Sequence, residues 1–412
     1  MSVNVKVEKP INYFNRLEHY KGGVGPTTEF GNKAECEPTP KNIGWTLGND
    51  CPYRCTHCYS MNAREKGQNM TKPMIDRVVE QLVSVGVETV NLGGNEPLFT
   101  NGINPKDTLL PYIIERLHEA GIITGLTTSG ITLLRLYRDY RSAFDMLNDV
   151  DVSFDSPFKD EHNANRGANI FHQAVESLDI CKAEGIPHSV IMAAMRWNFT
   201  EVHIRELVIL AKKHAANVRI NPLKPVEPQH MDVALTPKMY YTGFSLLMNL
   251  CSPLDLGEPP LAAKTTFPFA KRCPCGRTSF RIHSITPTGE IYISPCVYLH
   301  DFKSEIDLLK HDLADIIVSP PFRAFRQRNA NPDMIEGCNG CDMLSQCGGG
   351  CVARSYLNHF HTSGGKRSLL ARDPYCPKEF ATEYEFPHVP EIHSEHRLVH
   401  MDYLCTWIGQ PR

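Results

Sequence analysis

The chain has 412 residues, a formal charge of -3, 42% apolar and 22% charged residues, enough length and apolar content for two or more units with buried cores. So small a net charge excludes a general attraction to phosphate backbones, and nucleic acid is not an expected partner. The opening stretch MSVNVKVEKPINYF has no secretory apolar core and no run is long enough to span a bilayer, so no membrane partner and a cytoplasmic location are expected.

Residues 1–41, rich in Gly, Pro and charge, read as an N-terminal extension. From about residue 42 short strand candidates end near Trp45, Leu92, Thr127, Phe154, Met192 and Ile220. Between them run helical stripes with i, i+3, i+4, i+7 spacing: Ile75, Val78, Val79 and Leu82; Phe171, Ala174, Val175 and Leu178; Ile204, Leu207, Val208 and Ala211. Thr71 with Pro73 fits a helix start, and Gly121 and Gly185 fit helix stops. Six βα units over 42–222 predict an α/β fold, a partial (β/α)6 TIM-like barrel with its site on the loops at the carboxyl ends of the strands. Residues 223–270 read as a proline-rich connector around one helix from Thr236-Pro237 to about Asn249. Residues 271–380, with strand candidates at Ser279–Ile285 and Glu290–Ile293, form a cysteine-rich unit stapled by metal more than by apolar packing, and 381–412 a C-terminal tail.

Fifteen cysteines in a reducing compartment need a reason other than disulfides. Three lie at 51–58, eight at 273–376, and Cys36, Cys181, Cys251 and Cys405 stand apart. Cys51, Cys55 and Cys58, spaced C-x3-C-x2-C just after the first strand, have no fourth cysteine nearby. A structural zinc site closes all four corners, whereas a [4Fe–4S] cluster on three thiolates leaves one iron open to a small chelating ligand.

That loop, with Gly93-Gly94-Asn95-Glu96-Pro97 after the second strand, closely resembles the radical S-adenosylmethionine (SAM) enzymes. The resemblance implies that SAM chelates the open iron and that Gly93, Gly94, Asn95 and Glu96 meet its methionyl amine, with Glu96 as acceptor for the ammonium. It implies that His57 stacks or donates near adenine, that Ser153 and Asp155 contact the ribose, and that Arg166 pairs with the SAM carboxylate. Thr127, Thr128 and Ser129 are expected to line the same cavity.

Cys338, Cys341, Cys347 and Cys351, in C-x2-C-x5-C-x3-C, with Cys376 behind them and Cys273, Gly289 and Cys296 ahead, resemble the SPASM domain, a small α+β extension that holds two auxiliary [4Fe–4S] clusters. On that pattern Cys338, Cys341, Cys347 and Cys376 hold one cluster, and Cys273, Cys296 and Cys351 the other. Its fourth corner is either Cys275 or open to substrate. Two zinc sites are the plain alternative. Tyr298, His300 and Asp301 are candidates to reach a substrate. Sulfatase-maturating relatives carry an aspartate directly after the counterpart of Cys296; here that residue is Val297, so their activity is not carried over. Cys181 and Cys251 read as buried hydrophobes, Cys36 and Cys405 as free thiols, and His393, His396 and His400 as surface residues.

The resemblance implies an oxidoreductase that cleaves SAM to a 5'-deoxyadenosyl radical and abstracts hydrogen from a C–H bond, supplied by a one-electron donor such as flavodoxin or ferredoxin. Peptide or protein maturation is the first expectation. A small-molecule oxidoreductase acting on a sugar, nucleoside or amino-acid metabolite is the second, and a non-catalytic zinc-stabilised binding protein the third.

Overall fold

The computed structural model of the protein describes residues 29–61, 68–265, 271–380, 383–384, 386, 397–401 and 403–412. Residues 1–28 of the expected extension, and His393 and His396, lie outside the described residues.

Six strands follow one another as expected: β1 (Asn42–Trp45), β2 (Thr89–Leu92), β3 (Ile123–Thr128), β4 (Asp149–Ser153), β5 (His188–Ala194) and β6 (Asn217–Pro222). Each pairs in parallel with the next, which requires a helical crossover between them. Helices Lys72–Ser84, Leu110–Glu119, Ile131–Asp139, Phe171–Glu184 and Glu201–Lys213 supply these crossovers. The predicted stripes face the sheet: Ile75, Val78, Val79 and Leu82 are buried, as are Ile204, Leu207, Val208 and Ala211. Because helices cover the sheet, β1, β2 and β4 are buried at every position instead of alternating.

The sheet does not stop at six strands. β7 (Cys251–Leu256), β8 (Ser279–Ile282), β9 (Ile293–Ser294) and β10 (Trp407–Pro411) extend it to the order β7-β10-β6-β5-β4-β3-β2-β1-β8-β9. β8 runs parallel to β1, with Ile43 opposite Phe280, so the cysteine-rich unit grows out of the barrel sheet. β10 lies antiparallel between β6 and β7.

Two sequence expectations are corrected here. The segment 223–270 is more than a connector around a helix, since β7 follows helix Pro237–Leu250 directly. The segment 381–412 is not a tail: His400 is 2% exposed, and Trp407 is fully buried beside Phe244. Five residues containing Gly409 and Pro411 carry no strand period of their own. The open edge of β6 imposes the strand, and the register shifts between Ile408 and Gly409.

Replacing Trp407 with Ala should cost about 3–5 kcal/mol, the usual range for a fully buried large aromatic. Urea unfolding checks this, and a loss below about 1 kcal/mol would mean that β10 is not part of the core.

Candidate functional site

The carboxyl ends of β1 to β6 surround a cavity of about 980 Å3, counting its open mouth, lined by Cys51, Cys55 and Cys58. This volume suits a nucleoside-sized ligand. The cysteine loop is docked backbone to backbone on helix Lys159–Arg166: Arg54 N–H donates to the Arg166 carbonyl (3.2 Å) and Thr56 N–H to that of Asn165 (3.0 Å). Ser60 Oγ donates to the Gly94 carbonyl and ties the same loop to the segment after β2. Burial pushes the Cys55 thiol up to about 12, with the Arg166 guanidinium opposing it from 3.8 Å. A bound metal reverses that balance by taking the thiolate.

Zinc with Zn–S bonds near 2.3 Å draws its thiolates to about 3.8 Å from one another. Among the described residues no three ligand atoms that include a cysteine sulfur come within 4.8 Å of one another. In the cysteine-rich unit the thiols approach in pairs, with Cys273 meeting Cys275, Cys351 and Cys405.

Gly94 sits at φ +101°, and a Cβ there would lie 1.7 Å from Arg281 Nη2, so this turn demands glycine. The turn delivers Glu96 into the wall of the cavity that holds the three thiols. Its carboxylate accepts from Ser129 N–H (2.9 Å), Thr132 N–H (3.3 Å) and the hydroxyls of Thr128 and Thr132, at the N-terminus of helix Ile131–Asp139. Three of these donors converge on Oε1 and only Ser129 N–H reaches Oε2, so Glu96 anchors the helix and keeps acceptor capacity on Oε2 in the cavity wall. Asn95 lines the cavity beside it, donates to the carbonyls of Asp50 (3.1 Å) and Phe99 (3.3 Å), and keeps its Oδ1 buried without a partner. An orphaned acceptor of this kind fits an ammonium donor.

Asp155 and Arg166 form a buried ion pair. Asp155, expected at a ribose, is fully buried and receives Arg166 through two hydrogen bonds (2.5 and 2.8 Å), with Asn165 at 2.8 Å and His57 Nε2 at 3.6 Å. Its carboxyl falls well below the ordinary carboxylate range because Arg166 and His57 outweigh the burial that pushes it up. Arg166 keeps Nη1, which also reaches Ser129 Oγ at 3.2 Å, on the cavity side. Burial lowers the pKa of His57, and its Nδ1 lies 3.0 Å from Asn165 Nδ2. Ser153, Thr127, Thr128 and Ser129 line the cavity as expected.

The cysteine-rich unit gathers its thiols in two places. Cys338, Cys341, Cys347 and Cys376 interact with one another, and Arg372 Nη2 donates to Cys376 Sγ at 3.3 Å. Gly348, Gly349 and Gly350 all have φ between +60° and +83°, which aims the N–H groups of Gly349 and Gly350 at the Cys347 sulfur. Cys273, Cys275, Cys296 and Cys351 are buried together elsewhere, and Cys405, expected to stand alone, is among them. Of the three substrate candidates only Tyr298 lines the cavity, its hydroxyl accepting from Asn221 Nδ2 at 2.6 Å. His300 donates to the Tyr59 carbonyl at 3.1 Å, and Asp301 accepts from Tyr356 at 3.2 Å, both away from the cavity. The chain turns after Tyr298 into a short 3-10 helix, and this carries them off. Sequence reasoning missed His400, Tyr403 and Leu404, which close the cavity from the C-terminal segment, as well as Arg219 and Arg281 in its wall.

Glu96→Gln keeps one oxygen acceptor but turns an amide N–H2 toward at least one of the four donors. It should lower stability by about 1–3 kcal/mol, read as a fall in melting temperature in the absence of SAM, and an unchanged melt would refute the anchoring role.

Comparison with known proteins agrees with this geometry. The Radical SAM superfamily matches residues 45–208 and the SPASM iron-sulfur cluster-binding domain residues 273–342. Mycofactocin maturase MftC of Mycobacterium ulcerans is 26% identical over 353 residues, 82% of this chain and 88% of that protein. A GTP 3',8-cyclase of Clostridium perfringens is 26% identical over 184 residues, 44% of this chain and 54% of its own length. In fold the chain is similar to anSMEcpe with bound AdoMet and Cp18Cys peptide (TM-score 0.60, 18% identity, 83% of this chain and 96% of that one). It is also similar to Streptococcus suis SuiB bound to precursor peptide SuiA (TM-score 0.55, 15% identity, 82% and 75%). Among the described residues no helix is long and apolar enough to cross a membrane. With its cysteine loop at the mouth of a parallel barrel and a cysteine-rich domain continuing the same sheet, the chain belongs to the radical SAM superfamily, as a SPASM-containing enzyme that uses SAM and iron–sulfur clusters.

Proposed function

We propose that the protein is a peptide-maturing radical SAM oxidoreductase, with Cys51, Cys55 and Cys58 holding the catalytic [4Fe–4S] cluster. In this reading Cys338, Cys341, Cys347 and Cys376 hold one auxiliary cluster, and the set around Cys273, Cys296 and Cys351 the other. The observation that carries it is the shared wall: Val297 and Tyr298, directly after Cys296, line the cavity that also holds the first three thiols. A substrate in that cavity lies between the two kinds of cluster.

SAM bound at the open iron supplies, on one-electron reduction, a 5'-deoxyadenosyl radical that abstracts hydrogen from a C–H bond. The residues of the chain orient and shield. Asn95 Oδ1 offers an acceptor to the methionyl ammonium, Arg166 Nη1 a donor to the carboxylate, and Ser153 a polar contact to the ribose. Tyr53, Val297, Tyr298, Tyr403 and Leu404 keep water from the reacting atoms. Asp155 acts as a positioning residue, because it fixes the Arg166 fork.

The peptide assignment draws its support from the maturase MftC, which this chain matches over most of both lengths, and from the peptide complexes among the fold neighbours. One observation favours the small-molecule reading. The C-terminal residues His400, Tyr403 and Leu404 cover part of the mouth, and Arg219, Asn221 and Arg281 present polar groups at fixed positions inside. Anaerobically reconstituted enzyme with SAM and reductant decides between them. Peptides of 10 to 30 residues should stimulate 5'-deoxyadenosine formation and change mass, while stimulation only by sugars, nucleosides or free amino acids would replace the peptide reading. A flavodoxin or ferredoxin is the proposed electron donor.

Replacing Cys51, Cys55 and Cys58 together with Ala should abolish 5'-deoxyadenosine formation while leaving about eight of about twelve irons. Unchanged SAM cleavage would overturn the assignment.

A further inference from the structure

Cys405 is 4% exposed and comes from the C-terminal segment, 29 positions beyond Cys376, the last cysteine of the pattern. Its side chain interacts with those of Cys273 and Cys351, while Cys273 also meets Cys275, and Cys275 meets Cys296. Five thiols thus enclose one buried place, although no three of their sulfurs come within 4.8 Å of one another.

The backbone that presents Cys405 is fixed on both sides. The Tyr403 carbonyl accepts from Ser279 Oγ (2.6 Å), and the Cys405 carbonyl from the buried Lys224 ammonium (3.0 Å). The Thr406 carbonyl accepts from Gly257 N–H (2.9 Å), its Oγ1 donates to the Ile220 carbonyl (2.9 Å), and β10 begins at the next residue. Such anchoring holds the thiol toward Cys273 and Cys351, with the Lys224 charge close to both Cys351 and Cys405. A fixed cation beside a thiolate-bound cluster stabilises its negative charge. A free thiol packed as a small hydrophobe would call for neither the sulfur neighbours nor the ammonium.

We infer that Cys405 is a ligand of the auxiliary iron–sulfur cluster nearest the barrel, bound together with Cys273, Cys296 and Cys351. This rests on the auxiliary-cluster reading given above. With Cys405 in place the four corners are filled by protein thiolates, so this cluster has no open iron for a substrate and serves in electron transfer. The same segment carries His400, Tyr403 and Leu404 into the cavity wall, so cluster assembly also pins that wall.

The test compares reconstituted full-length Cys405→Ser, Cys405→Val and Cys347→Ser with the parent by iron count and by electron paramagnetic resonance of the reduced clusters. Serine offers a harder oxygen ligand, so Cys405→Ser should keep the iron and shift the g-values of one auxiliary signal. Valine fills the volume without ligating, so Cys405→Val should lose about four of about twelve irons. Parent-like iron and spectra in both Cys405 variants, with iron lost in Cys347→Ser, would overturn the inference and leave the auxiliary clusters standing. Parent-like iron in all three would overturn the cluster reading itself. If Cys405→Val is insoluble, the spectrum of Cys405→Ser decides alone.

Discussion

Arg354 carries its charge into a place where it is 1% exposed, and Glu258 and Asp373 receive it at 2.8 Å on either side. Glu258 also takes the Lys224 ammonium at 3.3 Å and the Tyr240 hydroxyl at 3.0 Å, so two cations and two anions balance with no solvent. Removing one member would strand the others, and an uncompensated buried charge typically costs about 3–5 kcal/mol. Lys224 follows β6, Glu258 follows β7, and Arg354 and Asp373 belong to the cysteine-rich domain. The network therefore fixes three separate stretches of chain against one another. It also sets two thiol positions, since Asp373 accepts from Cys351 N–H at 2.8 Å and Lys224 donates to the Cys405 carbonyl.

At the barrel mouth the same economy of charge engages Glu96 and Asp155 in bonds within the protein. A carboxylate placed at the start of a helix finds backbone N–H groups and hydroxyls at hand, and Glu96 accepts from four of them. Its neighbour Asn95, a departure from the usual glycine-rich pattern, is left with the unpartnered acceptor. Asp155 is likewise occupied in aiming Arg166 and in holding His57 and Asn165.

The six-stranded frame was legible because its signals are local. Helical stripes at i, i+3, i+4, i+7 and short apolar runs fix which faces are buried, and the order of parallel strands follows from crossover handedness. The cysteine spacings were equally legible, because ligands on one loop or short helix must sit a few residues apart. Cys338, Cys341 and Cys347 meet where the pattern places them, and Cys376 joins them from the chain's return.

Long-range partners carried no such mark. β10 is a strand because β6 and β7 leave a slot between them, although Trp407–Pro411 reads as a tail. Cys405 has no cysteine near it in sequence and four near it in space, and His400 becomes a buried cavity residue only when that segment folds back. His300 and Asp301 are close to Cys296 in sequence and turned away from the cavity in space. The sequence by itself determined the barrel, its cysteine loop and the metal-rich domain, since periodicity and ligand spacing are properties of short stretches. How each carboxylate is bonded, which thiols gather around Cys273 and what closes the cavity were decided only by the tertiary structure, because hydrogen bonding and burial depend on segments that are separate in sequence.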